Sequence, residues 1–386
     1  MRSWIELDRQ ALVQNYKAIR QLLGSSLLVP VLKSNAYGHG LAETYKILSS
    51  ELPTCIAVND VHEAAQLREL GFGGRTLIVG ATFPEELPKM HELHCELVIA
   101  SLPVLKAWLS SPQKVPAHIK IDTGLSRQGF YTQELKPWLP ELYKHKSNVV
   151  AICTHFANVE DSTHLEFAEL QQTRLAEAKS LFVSSGFSSI QSHASASASA
   201  ILLESARLDL VRIGISIYGL WASDMTRLSF EHLQEKKQKR QGQVKNNKGP
   251  SFALEPVLTW KTRIAQLKTV KEGEYVGYGC TFRASYPMEI AVLPVGYNEG
   301  YPRIAGQSSA YVLIDSHRCP IIGRLCMNMM MVDVSGLSKV AVEDEVVLIG
   351  RSGDEYLSAA QVAEWAETIH YELVTRLNPS LPRILV

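Results

Sequence analysis

A lysine stands directly after a short apolar run in Val29-Pro-Val-Leu-Lys33-Ser-Asn-Ala-Tyr37-Gly-His39-Gly40. An ammonium at the end of a buried strand needs a reason to be there, because a desolvated charge is costly. A surface lysine just past the strand is the plain alternative. The glycines and Tyr37 that follow make a turn suited to holding a ligand, and desolvation or nearby cations would make the lysine a usable base. Arg212 is flanked by Leu210, Val211 and Ile213, which is hard to reconcile with a solvated charge. A buried guanidinium requires partners. Gly214 and Ile215 follow it, and closely spaced amides in such a turn suit an anion. His155 in Cys153-Thr-His155-Phe-Ala ends another apolar run, where a histidine is more often structural. Lys120, Asp122 and Arg127 share His118-Ile-Lys120-Ile-Asp122-Thr-Gly-Leu-Ser-Arg127-Gln-Gly, with a surface lysine–aspartate pair as the bland reading. Tyr278 in Val276-Gly-Tyr278-Gly-Cys-Thr reads on its own as a core tyrosine in a β-rich turn. With an ordinary pKa near ~10, it needs a cationic neighbour to serve as a base at neutral pH.

These residues need a frame. Short apolar or β-branched runs occur at 28–32, 55–58, 76–79, 96–100, 118–121, 149–153, 190–192 and 210–213. Between them lie stretches with helical spacing, including Val61-His-Glu-Ala-Ala-Gln-Leu-Arg-Glu-Leu and residues 167–182. Buried parallel strands read as short continuous apolar segments joined by crossover helices. Eight such units predict a TIM-type (β/α)8 barrel, whose functional residues project from the carboxyl ends of the strands. A doubly wound sheet is the competitor, but its first βα turn would carry phosphate-binding glycines. The turn at Lys33 is not GxGxxG.

Past Gly219 the texture changes. Residues 225–252 are polar and basic, which reads as a solvated insertion or linker, because no aromatic stacking residues or reader motif accompany the charge. Beyond it, strand-like runs at 257–264, 290–295, 311–314, 329–334 and 346–349 are punctuated by Gly and Pro. They predict a mainly β C-terminal domain. A helix is expected over 359–376. The expected organisation is a strand at 1–8 packing with the β domain, a barrel over 9–224, the insertion at 225–252 and the β-rich domain at 253–386.

The 386 residues exceed the usual size of one hydrophobic core, in keeping with two domains. The 39 basic and 39 acidic side chains cancel, which leaves no global electrostatic reason to bind nucleic acid or membrane. Cys55, Cys95, Cys153, Cys280, Cys319 and Cys326 form no CxxC pair or metal-ligand cluster, and no metal is expected. The segment from Met1 to Asp8 lacks the apolar core of a signal peptide, and no apolar run approaches the ~20 residues of a membrane span. A cytoplasmic location is expected.

The Lys33 segment resembles the cofactor-lysine motif of alanine racemases, and further motifs follow in that family's order along nearly the whole chain. The resemblance implies a racemase dependent on pyridoxal 5'-phosphate (PLP). Lys33 would bind the cofactor covalently, and Tyr37 would contact its phosphate. Arg212 would donate to the pyridine nitrogen. As arginine stays protonated, it hydrogen-bonds without surrendering its proton. Gly214, Ile215 and Ser197 would complete the phosphate site, although Ala196 stands where the family usually has asparagine before that serine. Removing a proton from one face of a flat adduct and returning it to the other demands a second base. The resemblance assigns this to Tyr278, supplied across a homodimer interface and linked by His155 to Arg212. It further implies a carbamylated Lys120 orienting Arg127, and Arg127 facing the substrate carboxylate or the cofactor phenolate. Tyr297 in Val295-Gly-Tyr297-Asn-Glu-Gly-Tyr-Pro would line the active-site entrance. In Gly323-Arg-Leu-Cys-Met327-Asn328-Met, the Met327 amide would bind the substrate carboxylate. Two departures stand out. Asn328 replaces a common aspartate, and Pro379 stands where some members place a phosphate-binding tyrosine.

The implied reaction is interconversion of L- and D-alanine, with D-alanine feeding peptidoglycan. Alternatives are a racemase for another small amino acid such as serine, a related PLP decarboxylase, or a non-catalytic PLP carrier. A decarboxylase of this fold would usually put an acid on the ring nitrogen where Arg212 stands. A carrier would lack the β domain that bears Tyr278.

Overall fold

The computed structural model describes residues 1–160, 164–240, 252–307 and 309–386. The chain folds as two compact units. Gln10–Ser34 and Thr44–Glu255 form one; Met1–Arg9, Asn35–Glu43 and Pro256–Val386 form the other.

The opening strand, β1 (Ser3–Leu7), belongs to the second unit. The first unit carries the parallel strands β2 (Leu27–Pro30), β3 (Cys55–Val58), β4 (Arg75–Ile78), β5 (Cys95–Ile99), β6 (Ala117–Lys120), β7 (Val149–Cys153), β8 (Gln191–His193) and β9 (Leu210–Ile213). β3 to β8 pair in chain order, and β2 pairs with β9. The ring closes through short links on either side of that pair. Leu32 N donates to Ala57 O at 2.8 Å, Asp209 N to Ser192 O at 3.1 Å and Arg212 N to Ser195 O at 3.2 Å. This is the expected barrel, with each of the eight apolar runs giving one strand. The strands are short and almost wholly buried because both faces of a barrel sheet are covered. Crossover helices follow from local signals. Asp60 caps the helix Val61–Glu69 by accepting from His62 N at 2.9 Å and Glu63 N at 3.1 Å. The helix Arg9–Leu23 buries Leu12, Tyr16, Ile19 and Leu23, the spacing of one face.

The polar stretch after residue 224 is not wholly a linker. Asp224–Arg240 forms a helix, because Phe230 is buried against Trp221 and Phe252, with ring centroids 5.7 and 5.0 Å away. The rest of that stretch, 241–251, lies outside the described residues.

The second unit is mainly β. Its strands are β10 (Leu258–Arg263), β11 (Gln266–Val270), β12 (Tyr275–Val276), β13 (Phe282–Arg283), β14 (Met288–Leu293), β15 (Tyr311–Ile314), β16 (His317–Ile322), β17 (Met330–Asp333), β18 (Glu345–Ser352), β19 (Glu355–Leu357) and β20 (Arg383–Leu385). A ten-stranded sheet runs β11-β14-β17-β16-β15-β18-β10-β1-β20, with β19 beside β18. β1 joins it antiparallel to β10, with Ile5 opposite Trp260, and parallel to β20, with Ile5 opposite Arg383. Where one helix is expected over 359–376 there are two, Ala359–Trp365 and His370–Thr375. Glu367, with φ at +53°, breaks the run. Among the described residues no helix is long and apolar enough to cross a membrane.

The segment after the lysine has unusual backbone. Ser34, Asn35, Ala36 and Tyr37 have φ between 53° and 56°, so Lys33–Tyr37 is a single left-handed helical turn. For L residues that conformation costs roughly 1–2 kcal/mol each, so the surroundings must impose it. Asn35 O accepts from Gly40 N at 2.9 Å, and Asn35 Oδ1 accepts from Leu41 N at 2.8 Å. Arg383 donates to Gly38 O from Nε at 3.1 Å and NH2 at 2.8 Å. Gly38 itself has φ +80°, and a methyl group there would lie 1.8 Å from Val374 O. Replacing Gly38 with Ala is therefore expected to destabilise the protein by about 2–5 kcal/mol, combining left-handed strain with overpacking. Gly71→Ala, with φ +88° but nothing within 4 Å, should lose only about 1–2 kcal/mol. Denaturant unfolding of the two variants checks the difference, and equal losses would contradict it.

Candidate active site

Lys33, Lys120, Arg127, His155 and Arg212 all follow or end strands of the barrel, at the carboxyl ends where such folds place function. They are close enough to perturb one another. Burial lowers the Lys33 pKa, and Arg127 and Arg212 lower it further against a smaller opposing effect of Glu63. Burial likewise brings Lys120 down to about 8, with Arg212 and Arg127 adding to the effect. His155 is held well below its ordinary value by burial and then by Arg212, Lys120, Arg127 and Lys33. A group of cations around partly buried amines therefore favours neutral lysines.

Arg212 is 8% exposed. Its NH2 donates to Thr154 O and Ala194 O, each at 3.0 Å, and makes a longer contact to His155 Nδ1 at 3.4 Å. Its NH1 donates to His193 Nδ1. Nε–H makes no hydrogen bond within the described residues, so it is available to an acceptor. A cavity of about 90 Å³ lies beside His155, lined by Phe156, Asn158 and Ser199 among others. A wider cleft of about 540 Å³, lined by Lys146, Val149, Ser188 and Gln191, lies at the start of β7 and β8 and holds none of these groups.

Two helical starts meet next to Arg212. One begins at Ser197 (Ser197–Leu202) and the other at Ile215 (Ile215–Tyr218). First-turn amides have no carbonyl one turn earlier, so they are free to bind an anion. Ser197 Oγ lies 3.4 Å from Ser216 N, and Ser216 Oγ is fully buried with no partner. Buried hydroxyls without partners are uncommon. Here the orphan sits beside the amides of Gly214 and Ile215 and suits a bound phosphate. The neighbouring serines differ in their bonding. Ser195 Oγ donates to Ala206 O at 2.7 Å, and Ser199 Oγ accepts from Ala196 N at 2.9 Å. Ser197 Oγ makes only the longer contact with Ser216 N, at 3.4 Å.

Tyr37, Tyr278, Tyr297 and Met327 belong to the second unit. Tyr278 opens a short turn (Tyr278–Cys280) between β12 and β13, flanked by Gly277 at φ +77° and Gly279 at +75°. The hairpin is anchored by Val276 and Phe282, which pack with Met288, Ile290 and Ile322. Tyr278 itself is 70% exposed, so it is no core tyrosine. Tyr297 and Met327 are brought together by hydrogen bonds from Tyr297 N to Cys326 O at 3.3 Å and Asn298 N to Met327 O at 2.9 Å. Any side chain at Gly296 would collide with that same loop, 2.2 Å from Cys326 O. Asn328 Nδ2 donates to Glu299 Oε1 at 2.7 Å, a bond that an aspartate could not make.

One residue was missed from sequence. Tyr371 lies beside Tyr37, with ring centroids 6.4 Å apart, and so sets a second phenol next to that candidate residue. Its signal was an aromatic in the His-Tyr-Glu stretch of the last helix, which reads as ordinary amphipathic packing.

Family profiles match both units: "Alanine racemase, N-terminal domain" over residues 7–221 and "Alanine racemase, C-terminal domain" over 257–385. The chain belongs to the alanine racemase family. It is 38% identical to an alanine racemase of Leptospira interrogans over 387 residues, covering all of this chain and 96% of the relative. A Methylacidiphilum infernorum alanine racemase is 32% identical, with 99% and 92% covered. Among solved structures, the Bacillus anthracis alanine racemase with bound L-Ala-P aligns at TM-score 0.87 and 28% identity, over all of this chain and 95% of that one. The biosynthetic alanine racemase of Pseudomonas aeruginosa aligns at 0.83 and 28%, with 100% and 99% covered.

An alanine racemase built this way keeps several histidines neutral by burial. His39 is lowered to about 4, chiefly by burial, and His118 and His193 are lowered for the same leading reason. All three are at most 1% exposed. A depressed histidine pKa means that the unfolded chain takes up the proton first. Its contribution to stability is complete above about pH 6.5 and is lost as pH falls, at about 1.4 kcal/mol per unit per group. Unfolding free energy should thus drop as pH falls from 6.5 to 5, before carboxylates titrate. Denaturant titrations across that window check it, and a flat profile would contradict neutral burial.

Proposed function

We propose that the chain interconverts L- and D-alanine with PLP as cofactor, working in a reducing cytoplasm and supplying D-alanine for peptidoglycan. Support for the cofactor comes from the chain itself. A lysine with lowered pKa, an arginine whose Nε–H is unbonded among the described residues and a candidate phosphate cradle with an orphan hydroxyl lie at one end of the barrel. The single observation that carries most weight is Arg212, a buried cation whose bonded partners are carbonyls and imidazoles. Such an arrangement leaves a donor for a ring nitrogen and no acid to protonate it.

Lys33 would hold PLP, with Ser197, Gly214, Ile215 and Tyr37 on its phosphate. Bound PLP makes the substrate Cα–H acidic by spreading the resulting negative charge. Lys33 Nζ, whose surroundings lower its pKa and so favour the unprotonated amine, takes the proton on one face. Tyr278 Oη holds the proton for the other face, and His155 ties that phenol to Arg212. Arg127 and the Met327 amide orient the substrate carboxylate, while Tyr297 narrows the entrance. Lys120, with pKa about 8, carries far more free amine near neutral pH than an ordinary lysine, although most of it is still protonated. Only a free amine adds to CO2, so carbamylation of Lys120 fits its burial. The resulting carbamate would turn a cation next to Arg127 into its anionic partner. Mass spectrometry of intact protein with and without bicarbonate tests this point.

Tyr278 is exposed within its own chain, in keeping with a site completed by a second copy. We therefore propose a homodimer in which the partner subunit's Tyr278 faces Lys33. The decisive assay incubates protein and PLP with L-alanine, L-serine and L-lysine, then separates the enantiomers. D-Alanine should dominate, and its absence would refute the reading. Lys33→Ala and Tyr278→Phe should each lose at least ~100-fold in kcat. Unfolded together and refolded as a mixture, the two variants should regain about one quarter of normal activity. Half the dimers then carry one variant of each kind, and each of these has one intact site of two. No recovery on mixing would exclude sharing of the site across the interface.

A further inference from the structure

Inside the barrel runs a chain of polar side chains with no assigned role. Arg75, on β4, clamps Glu96, on β5, from Nε to Oε1 at 2.6 Å and from NH2 to Oε2 at 2.9 Å. Glu96 Oε2 lies 3.0 Å from His118 Nε2, on β6. His118 Nδ1 lies 2.7 Å from His193 Nε2, on β8. His193 Nδ1 meets Arg212, on β9. The path enters near the amino ends of β4 and β5 and leaves where the candidate active site begins. Glu96, His118, His193 and Arg212 are all at most 8% exposed.

We infer that Glu96, His118 and His193 form a one-way hydrogen-bond relay that compensates and aims the guanidinium of Arg212. Both ends dictate the direction. Arginine can only donate, and an ionised carboxylate can only accept. So His193 Nδ1 is bare and its Nε2 carries the proton, which it gives to a bare His118 Nδ1; His118 Nε2–H then donates to Glu96. Protonating either ring would set N–H against N–H, and burial opposes it at both: at His193 the cations Arg212, Lys120 and Arg75 add to burial, while at His118 burial outweighs the pull of Glu96. Burial pushes the Glu96 carboxyl up, but its bonds to His118 and Arg75 outweigh that and leave it at about 2, so it stays ionised. The thiols alongside are neutral, with Cys55 pushed up to about 12 and Cys95 to about 11 by burial.

The consequence is a separation of charges. Arg212 touches no carboxylate among the described residues; the relay brings it a counter-charge through two neutral imidazoles. Each ring, polarised by the next, becomes a better acceptor than an isolated imidazole. The guanidinium is thus held without a carboxylate beside it, where an acid would compete for the ring nitrogen. These three are positioning residues; none touches substrate or cofactor. The inference rests on the proposed role of Arg212 toward PLP.

Nitrogen-15 NMR of histidine-labelled holoenzyme tests the relay independently of turnover. Near neutral pH, His118 and His193 should each be neutral, protonated at Nε2 and bare at Nδ1. A cationic ring, or a proton on Nδ1 of either, overturns the relay. Glu96→Gln keeps an acceptor for His118 while deleting the charge. It should leave both tautomers in place and lower kcat about tenfold, with KM for alanine within about twofold. Unchanged kcat, or kcat and KM altered together with loss of stability, overturns the positioning role. Should the wild-type enzyme fail to racemise alanine, the proposed function fails, while the NMR result still decides the relay.

Discussion

A guanidinium sunk into a barrel without an acid at its side is the constraint around which this protein is arranged. Taking an arginine out of water is costly unless its hydrogens are satisfied. The usual remedy, a carboxylate in contact, is absent among the described residues. Two carbonyls at the ends of β7 and β8 and two imidazoles do the work instead. They satisfy hydrogens without neutralising charge. Burial depresses Lys33, Lys120 and His155 alike, and the positive field that remains adds to it. Desolvation and a shared set of cations therefore act in the same direction on these neighbours, and the barrel strands bring them together.

Backbone geometry supplies the rest. The left-handed turn after Lys33 holds four L residues in a conformation that they resist. It is retained by Asn35, by Arg383 on Gly38 O and by the close approach of Val374 to Gly38. Strain of this kind persists only where the surroundings over-determine it. The turn carries the chain from the strand end at Lys33 to Tyr37 in five residues, and a right-handed turn would send those side chains elsewhere. The glycines of the Tyr278 hairpin do a similar service, giving a phenol a fixed, exposed perch instead of a place in the core.

The barrel was legible because its strands are continuous apolar runs separated by helical spacing, a signal that covers every strand from β2 to β9. Lys33 and Arg212 were legible for the opposite reason, as charges set in apolar surroundings. The β unit was read only in part. β11, Gln-Leu-Lys-Thr-Val, has one face on solvent and too few apolar residues to stand out. β16 mixes His, Arg and Pro into a strand whose pairing with β15 and β17 decides its fate. The break at Glu367 follows from a single positive φ, which no helical period reveals. The helix after residue 224 was hidden by its charge, since one buried phenylalanine outweighed the polar residues around it. Glu96, His118 and His193 lie in separate strands, and only the closure of the barrel makes them neighbours.

The two units divide their chemistry by burial. In the barrel, ionisable groups are desolvated, which is how amines lose protons at neutral pH and how an arginine becomes a strong, fixed donor. In the β unit the candidate groups remain exposed: Tyr278 is 70% exposed, Met327 56% and Tyr297 42%. A large apolar side chain left in water forgoes about 1.5–3 kcal/mol of burial. Three such side chains stand on turns held by glycines and backbone bonds rather than by packing, the kind of exposure that a second molecule can cover. In the proposed homodimer, the exposure of Tyr278 and the burial of Arg212 would answer to one requirement, that a proton carrier and a fixed cation reach the same substrate from different polypeptides.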